Sequence, residues 1–90
     1  MSLKNTAACL GYQQILPSVS TGLTVPPTAT FAIIQAEAQA IRWRDDGTAP
    51  TASVGMTIPA GGELRYDGNL NAIRFIEAVA LSKLNVSYYC

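Results

Sequence analysis

The sequence predicts an all-β fold, a small β-sandwich or jelly-roll-like barrel of about six to eight short antiparallel strands with an extended N-terminal segment. Three observations predict it. From residue 30 onward, apolar and polar side chains alternate with a period of two. The alternating runs are short and rich in β-branched and aromatic residues. Between them stand clusters of Gly, Pro, Asp and Asn, the residues that close turns.

Taken in order, "TFAIIQAE" (30–37) reads as a strand rich in β-branched and aromatic residues. "AQAIRWR" (38–44) alternates, with Ile41 and Trp43 on one face and Arg42 and Arg44 on the other. "TASVGMTI" (51–58) follows, then "ELRYD" (63–67), with Leu64 and Tyr66 inward and Arg65 outward. "LNAIRFIE" (70–77) sets Ile73 and Phe75 against Arg74, and "KLNVSYY" (83–89) aligns Leu84, Val86 and Tyr88. Strands are therefore expected near 30–37, 39–44, 51–57, 63–67, 71–77 and 83–89, with Ile41, Trp43, Leu64, Tyr66, Ile73, Phe75, Leu84 and Val86 in one core. "EAVALSK" (77–83) has the length of one helical turn, but its flanks read as strand. "QAIRWR" (39–44) and "NAIRFI" (71–76) echo each other, which reads as two equivalent strands of facing hairpins; two copies do not make a repeat architecture.

Residues 1–29 differ in kind, with Lys4 as their one charge and prolines at 17, 26 and 27 that forbid a long helix. "YQQIL" (12–16) and "GLTVP" (22–26) are extended candidates. The expected organisation is an N-terminal arm over 1–12, ordered by contact with a neighbour, and a single β-sandwich domain over 13–90.

Ninety residues make one domain. At this size roughly 60% of the unfolded chain's surface is buried on folding. The hydrophobic fraction is 49%, yet thirteen of those residues are Ala, so the core is thin and association is the expected remedy. Six basic residues balance six acidic ones, and nothing steers the chain toward nucleic acid. Charged residues are 13% of the chain, about half the usual quarter, which reads as a surface meant to be covered. The apolar run from Ala7 to Leu10 is too short for a signal peptide or a membrane span, so a soluble chain made in the cytosol is expected. Cys9 and Cys90 lie near opposite ends and pair only if the termini meet.

The chain has no His, which removes imidazole bases and the usual zinc sites. No enzyme activity, cofactor or metal is expected. Asp45-Asp46-Gly47-Thr48 reads as a turn, because no Glu follows at calcium-loop spacing. Arg42, Arg44, Arg65 and Arg74 are expected to pair across strands with Glu37, Glu63, Asp67 and Glu77, although together they have the chemistry to bind a carboxylate or phosphate. Trp43 reads as core. "IPAGGELRYDG" resembles a cupin strand-turn, but the histidines of cupin metal sites are missing.

"LGYQQI", "LTVP", "AIIQAEAQAIRWRDDGTAPTASVGM", "IPAGGELRYDGNLNAIRFIE" and "KLNVSYY" resemble small virion structural proteins of tailed bacteriophages, over about residues 10–89 and most specifically over Ala40 to Met56. The resemblance implies a virion component assembled in the host bacterial cytoplasm, with a capsid decoration or cement protein first. It implies the major capsid protein or other virion proteins as partners and a homo-oligomer, with a trimer favoured; the balanced charge and short apolar runs leave neither nucleic acid nor membrane as an expected partner. Candidate partner contacts are Lys4, Leu10, Tyr12, Arg44, Asp45 and Asp46. The alternative is a tail or fibre module binding host-surface glycan, for which Tyr12, Tyr66, Tyr88 and Tyr89 are the extra aromatic candidates.

Overall fold

Strands of such alternating sequence have one side to bury, and two sheets facing each other bury both. The computed structural model describes residues 8–90 and places eight strands in them. These are β1 (Cys9–Ile15), β2 (Thr21–Gly22), β3 (Phe31–Glu37), β4 (Ile41–Arg44), β5 (Met56–Ile58), β6 (Glu63–Tyr66), β7 (Arg74–Glu77) and β8 (Lys83–Tyr89). No helix occurs among the described residues.

The strands form two four-stranded antiparallel sheets, ordered β1-β8-β3-β6 and β2-β7-β4-β5. The first strand pairs with the last, the second with the seventh, the third with the sixth and the fourth with the fifth. One long antiparallel ribbon is thus rolled up, and the β8–β3 and β7–β4 pairings lock the roll. This is jelly-roll connectivity.

The core lies between the sheets. β8 contributes Leu84, Val86 and Tyr88, and β3 contributes Ala32, Ile34 and Ala36. Ile41, Ile58, Ile73 and Phe75 come from the opposite side. Six of the eight expected core residues are buried; Trp43 and Leu64 are half-buried and pack against the cluster from its margin.

Several boundaries differ from the alternation. The 39–44 strand starts at Ile41, because Ala38 takes left-handed backbone (φ 75°) in a turn closed by Gln39 N–H on Glu37 O at 2.9 Å. The 51–57 strand starts at Met56, because Thr51 and Val54 close a tight turn of their own through reciprocal backbone bonds of 2.9 and 3.2 Å. Within "GLTVP", only Gly22 is strand.

Residues 1–7 of the expected arm lie outside the described residues. Residues 9–12 are the first half of β1, hydrogen-bonded along β8, with a bulge between Cys9 and Gly11. The two ends of the described residues meet: Ala8 and Cys90 exchange backbone bonds of 3.2 Å. Both cysteines are nonetheless free and exposed. Cys9 stands opposite Tyr89, so the side chain of Cys90, one residue on, is directed to the other face. The two echoing segments are neighbours in one sheet, not strands of facing hairpins: Trp43 pairs with Phe75 and Arg44 with Arg74.

The expected ion pairing of the arginines does not form. Register sets Arg44 opposite Arg74, and the four acidic partners expected for the arginines lie elsewhere. Arg42 instead donates to the 52–57 segment, Arg74 Nε donates to Ser20 Oγ at 3.1 Å, and Arg65 lies over the Phe31 ring at 4.4 Å. The one ion pair among the described residues is Arg44–Asp46.

Candidate functional site

Two recesses lie at opposite ends of the sandwich, because β4 and β7 run antiparallel from Ile41/Glu77 at one end to Arg44/Arg74 at the other. The first is built where β4 runs into its turn. Gly47 takes the left-handed backbone that the turn requires (φ 87°). Asp46 Oδ1 accepts from the Thr48 N–H at 3.3 Å, and the Arg44 guanidinium closes a two-point bond on the same carboxylate at 3.1 and 2.5 Å. That bond holds the Asp46 carboxyl below its ordinary range and raises Arg44 above its own. Asp46 therefore stays ionised and is a poor proton acceptor.

The facing wall is the 51–56 segment. Arg42 Nε donates to Ala52 O at 3.0 Å, and its Nη1 donates to Gly55 O at 2.9 Å and Thr57 Oγ1 at 3.0 Å. Gly55 permits the close approach: its φ is 144°, and a Cβ there would stand 3.1 Å from Trp43 O. The result is a groove of 530 Å³ with Trp43, Asp45, Asp46, Val54 and Met56 in its lining. Behind it, the Tyr66 ring meets Trp43 edge-on at 5.9 Å, and its hydroxyl donates to Asp45 Oδ2 at 2.6 Å. Burial, reinforced by Asp45, pushes the Tyr66 hydroxyl up to about 12. The groove therefore brings together an indole, two apolar side chains, the Arg44–Asp46 pair and the Asp45 carboxylate held by Tyr66. Among the described residues, no three His, Cys, Asp or Glu side chains gather as metal ligands would.

Of the expected contacts, the structure brings together Arg44, Asp45 and Asp46. Leu10 and Tyr12 sit apart on β1: Leu10 packs half-buried against the core, and Tyr12 is exposed. Tyr12 Oη donates to Asn85 Oδ1 at 2.6 Å, which also receives Gln14 Nε2 at 3.0 Å. Lys4 lies outside the described residues. Of the other candidate tyrosines, Tyr66 and Tyr88 are buried, and Tyr89 stacks on Phe31 at 5.2 Å.

The second recess went unread in the sequence. Leu16, after β1, and Leu81, before β8, flank a groove of 400 Å³ that Glu77, Ala80 and Lys83 also line. Leu81 is 86% exposed and Leu16 65% exposed, and Val79 (50%) is exposed in the same 78–82 turn as Leu81. The turn is firmly tied. Glu77 N–H donates to Pro17 O (2.8 Å), Ala78 N–H to Ala40 O (3.0 Å), and the buried Ser82 hydroxyl to Val79 O (2.7 Å). The available signal was "AVAL" (78–81), apolar yet placed between two strands that each already fill the core with their own alternation.

Comparison of the chain with protein-family models, curated proteins and solved structures finds no match.

Proposed function

We propose that this chain is a structural component of a tailed-phage virion, a decoration or cement subunit that binds the capsid shell and stabilises it through contacts with neighbours. The observation that carries this reading is the distribution of large apolar side chains. Leu16, Val79 and Leu81 are exposed at one end of the sandwich, and Val54 and Met56 at the other. Exposed apolar groups gain free energy only when a neighbour covers them. A subunit with such groups at both ends is suited to sit between neighbours in a layer. The low charge and the resemblance over residues 10–89 point the same way. Jelly rolls serve in viral capsids, lectins and cupins alike, so the architecture agrees without choosing.

The second reading, a tail or fibre module for host-surface glycan, draws on the groove at Trp43, where an aromatic wall adjoins anchored carboxylates. Immunogold labelling of intact particles separates the two. Label over the head is expected; label at the tail tip would replace the first reading with the second, and unlabelled particles would remove both.

A further inference from the structure

The recess at Leu16 and Leu81 carries its own complement. Its lining holds two exposed leucines together with one acid, Glu77, and one base, Lys83. Those two charges line one groove, yet neither forms an ion pair within the described residues. Leu81 is held outward in left-handed backbone (φ 70°), a conformation that a residue with a Cβ adopts only at a cost. The hydrogen bonds of the turn keep it there, so the side chain is presented rather than merely loose.

We propose that two copies of this chain associate through this recess about a two-fold axis. Leu16 and Leu81 of each copy pack on those of the other, and Glu77 of each meets Lys83 of the partner subunit. The proposal rests on reading the recess as a contact surface and names what it contacts. A two-fold contact uses the same patch on both subunits, so the patch must complement itself. A patch with exposed leucines and one charge of each sign can do so: a two-fold rotation that brings Glu77 to the partner's Lys83 brings Lys83 to the partner's Glu77 as well, with leucine packed on leucine. A ring of three would need two different surfaces on each subunit, one to give and one to receive. An acidic or basic partner would leave one of the two charges facing its like. The chain's formal charge is zero, so no net repulsion opposes the approach of a second copy.

The test is the mass of the purified full-length chain in solution, by light scattering and sedimentation over a wide concentration range. Twice the 9.5 kDa chain mass is expected at high concentration, dissociating on dilution. Leu81→Asp, at an exposed position, should weaken association at least about tenfold while leaving the β spectrum intact. Glu77→Lys and Lys83→Glu should each weaken it, and the double variant should restore it, because the swapped charges meet again across the axis. Leu16→Asp provides a second apolar probe should the turn tolerate Leu81→Asp poorly. A chain that stays monomeric at every concentration overturns the proposal, as do a mass of three copies, association indifferent to Leu81→Asp and Leu16→Asp, or a charge swap that fails to rescue. A monomer that still labels the phage head would overturn this inference and leave the virion reading standing, so the two fail separately.

Discussion

Tyr66 joins more of the molecule than any neighbour in its strand: its ring meets Trp43, its hydroxyl meets Asp45, and the next turn closes over it. Gly68 makes that closure possible, since a Cβ there would stand 2.5 Å from the Tyr66 hydroxyl and 2.6 Å from its Cζ. Gly68→Ala should displace the ring, break the bond to Asp45 and cost about 1–3 kcal/mol, measured by denaturant unfolding with Trp43 fluorescence as a second readout. The same burial governs pH. Tyr66 and Tyr88 are both pushed up to about 12 from an ordinary 10.0, Tyr88 by burial alone and Tyr66 by burial first and Asp45 second. A raised pKa means that the folded state keeps its proton more tightly than the unfolded one. The stability so gained is fully present below pH 10 and is lost as pH rises toward 12. Alkaline unfolding is expected in that window, together with a tyrosinate absorbance to which Tyr66 and Tyr88 contribute late. Phe75, with no exposure, supplies the plain core test: Phe75→Ala should cost about 3–5 kcal/mol in the same unfolding measurement.

At the scale of elements, Arg42 and the Thr51–Val54 turn together set where β5 begins. Three donors from one guanidinium reach Ala52, Gly55 and Thr57, so the 51–55 segment is folded against β4 instead of extending as strand. Arg42→Ala should free that segment, raising amide exchange over 51–55 and lowering stability by about 1.5–3 kcal/mol. Arg42→Lys should not rescue it, because an ammonium lacks the planar fork. This element also shows what could be read in advance. Alternation set the faces of β4, β6, β7 and β8 correctly, because a strand that slips by one residue turns its whole apolar set to water. The same rule missed the weight of Ala32 and Ala36, both fully buried in β3. The pairing of Arg44 with Asp46 spans two residues and was open to view in the turn, although the expectation placed Arg44 with the acids of other strands. The Tyr66–Asp45 bond joins separate sheets, and the opposition of Arg44 and Arg74 depends on the register of strands distant in sequence. Local spacing carries no record of such a register. The recess at Leu81 escaped for another reason: a leucine exposed in a turn runs against the rule by which apolar periodicity is read.

At the scale of the whole molecule, the strand order has one consequence that no single element reveals. In β1-β8-β3-β6 and in β2-β7-β4-β5, every strand of the first half neighbours only strands of the second. Neither half contains a single strand-to-strand pair of its own, so neither can satisfy its backbone N–H and C=O groups or cover its apolar face. The chain closes its first strand on its last, a non-local pairing that predicts folding on the millisecond-to-second scale. A chain divided between Gly47 and Thr48, in the exposed turn after β4, would retain all eight strands and lose only the covalent link. Fragments 1–47 and 48–90 should each lack stable β structure alone and should restore it when mixed. Trp43 reports the event directly, because it lies in the first fragment while its ring partner Tyr66 and strand partner Phe75 lie in the second. Circular dichroism and tryptophan fluorescence of each fragment and of the equimolar mixture make the check. If either fragment folds alone as a monomer, it contains a sheet that the strand order denies it, and the rolled-ribbon connectivity is wrong. If both remain unfolded alone and the mixture regains the spectrum of the intact chain, cooperativity resides in the interleaving of the two halves.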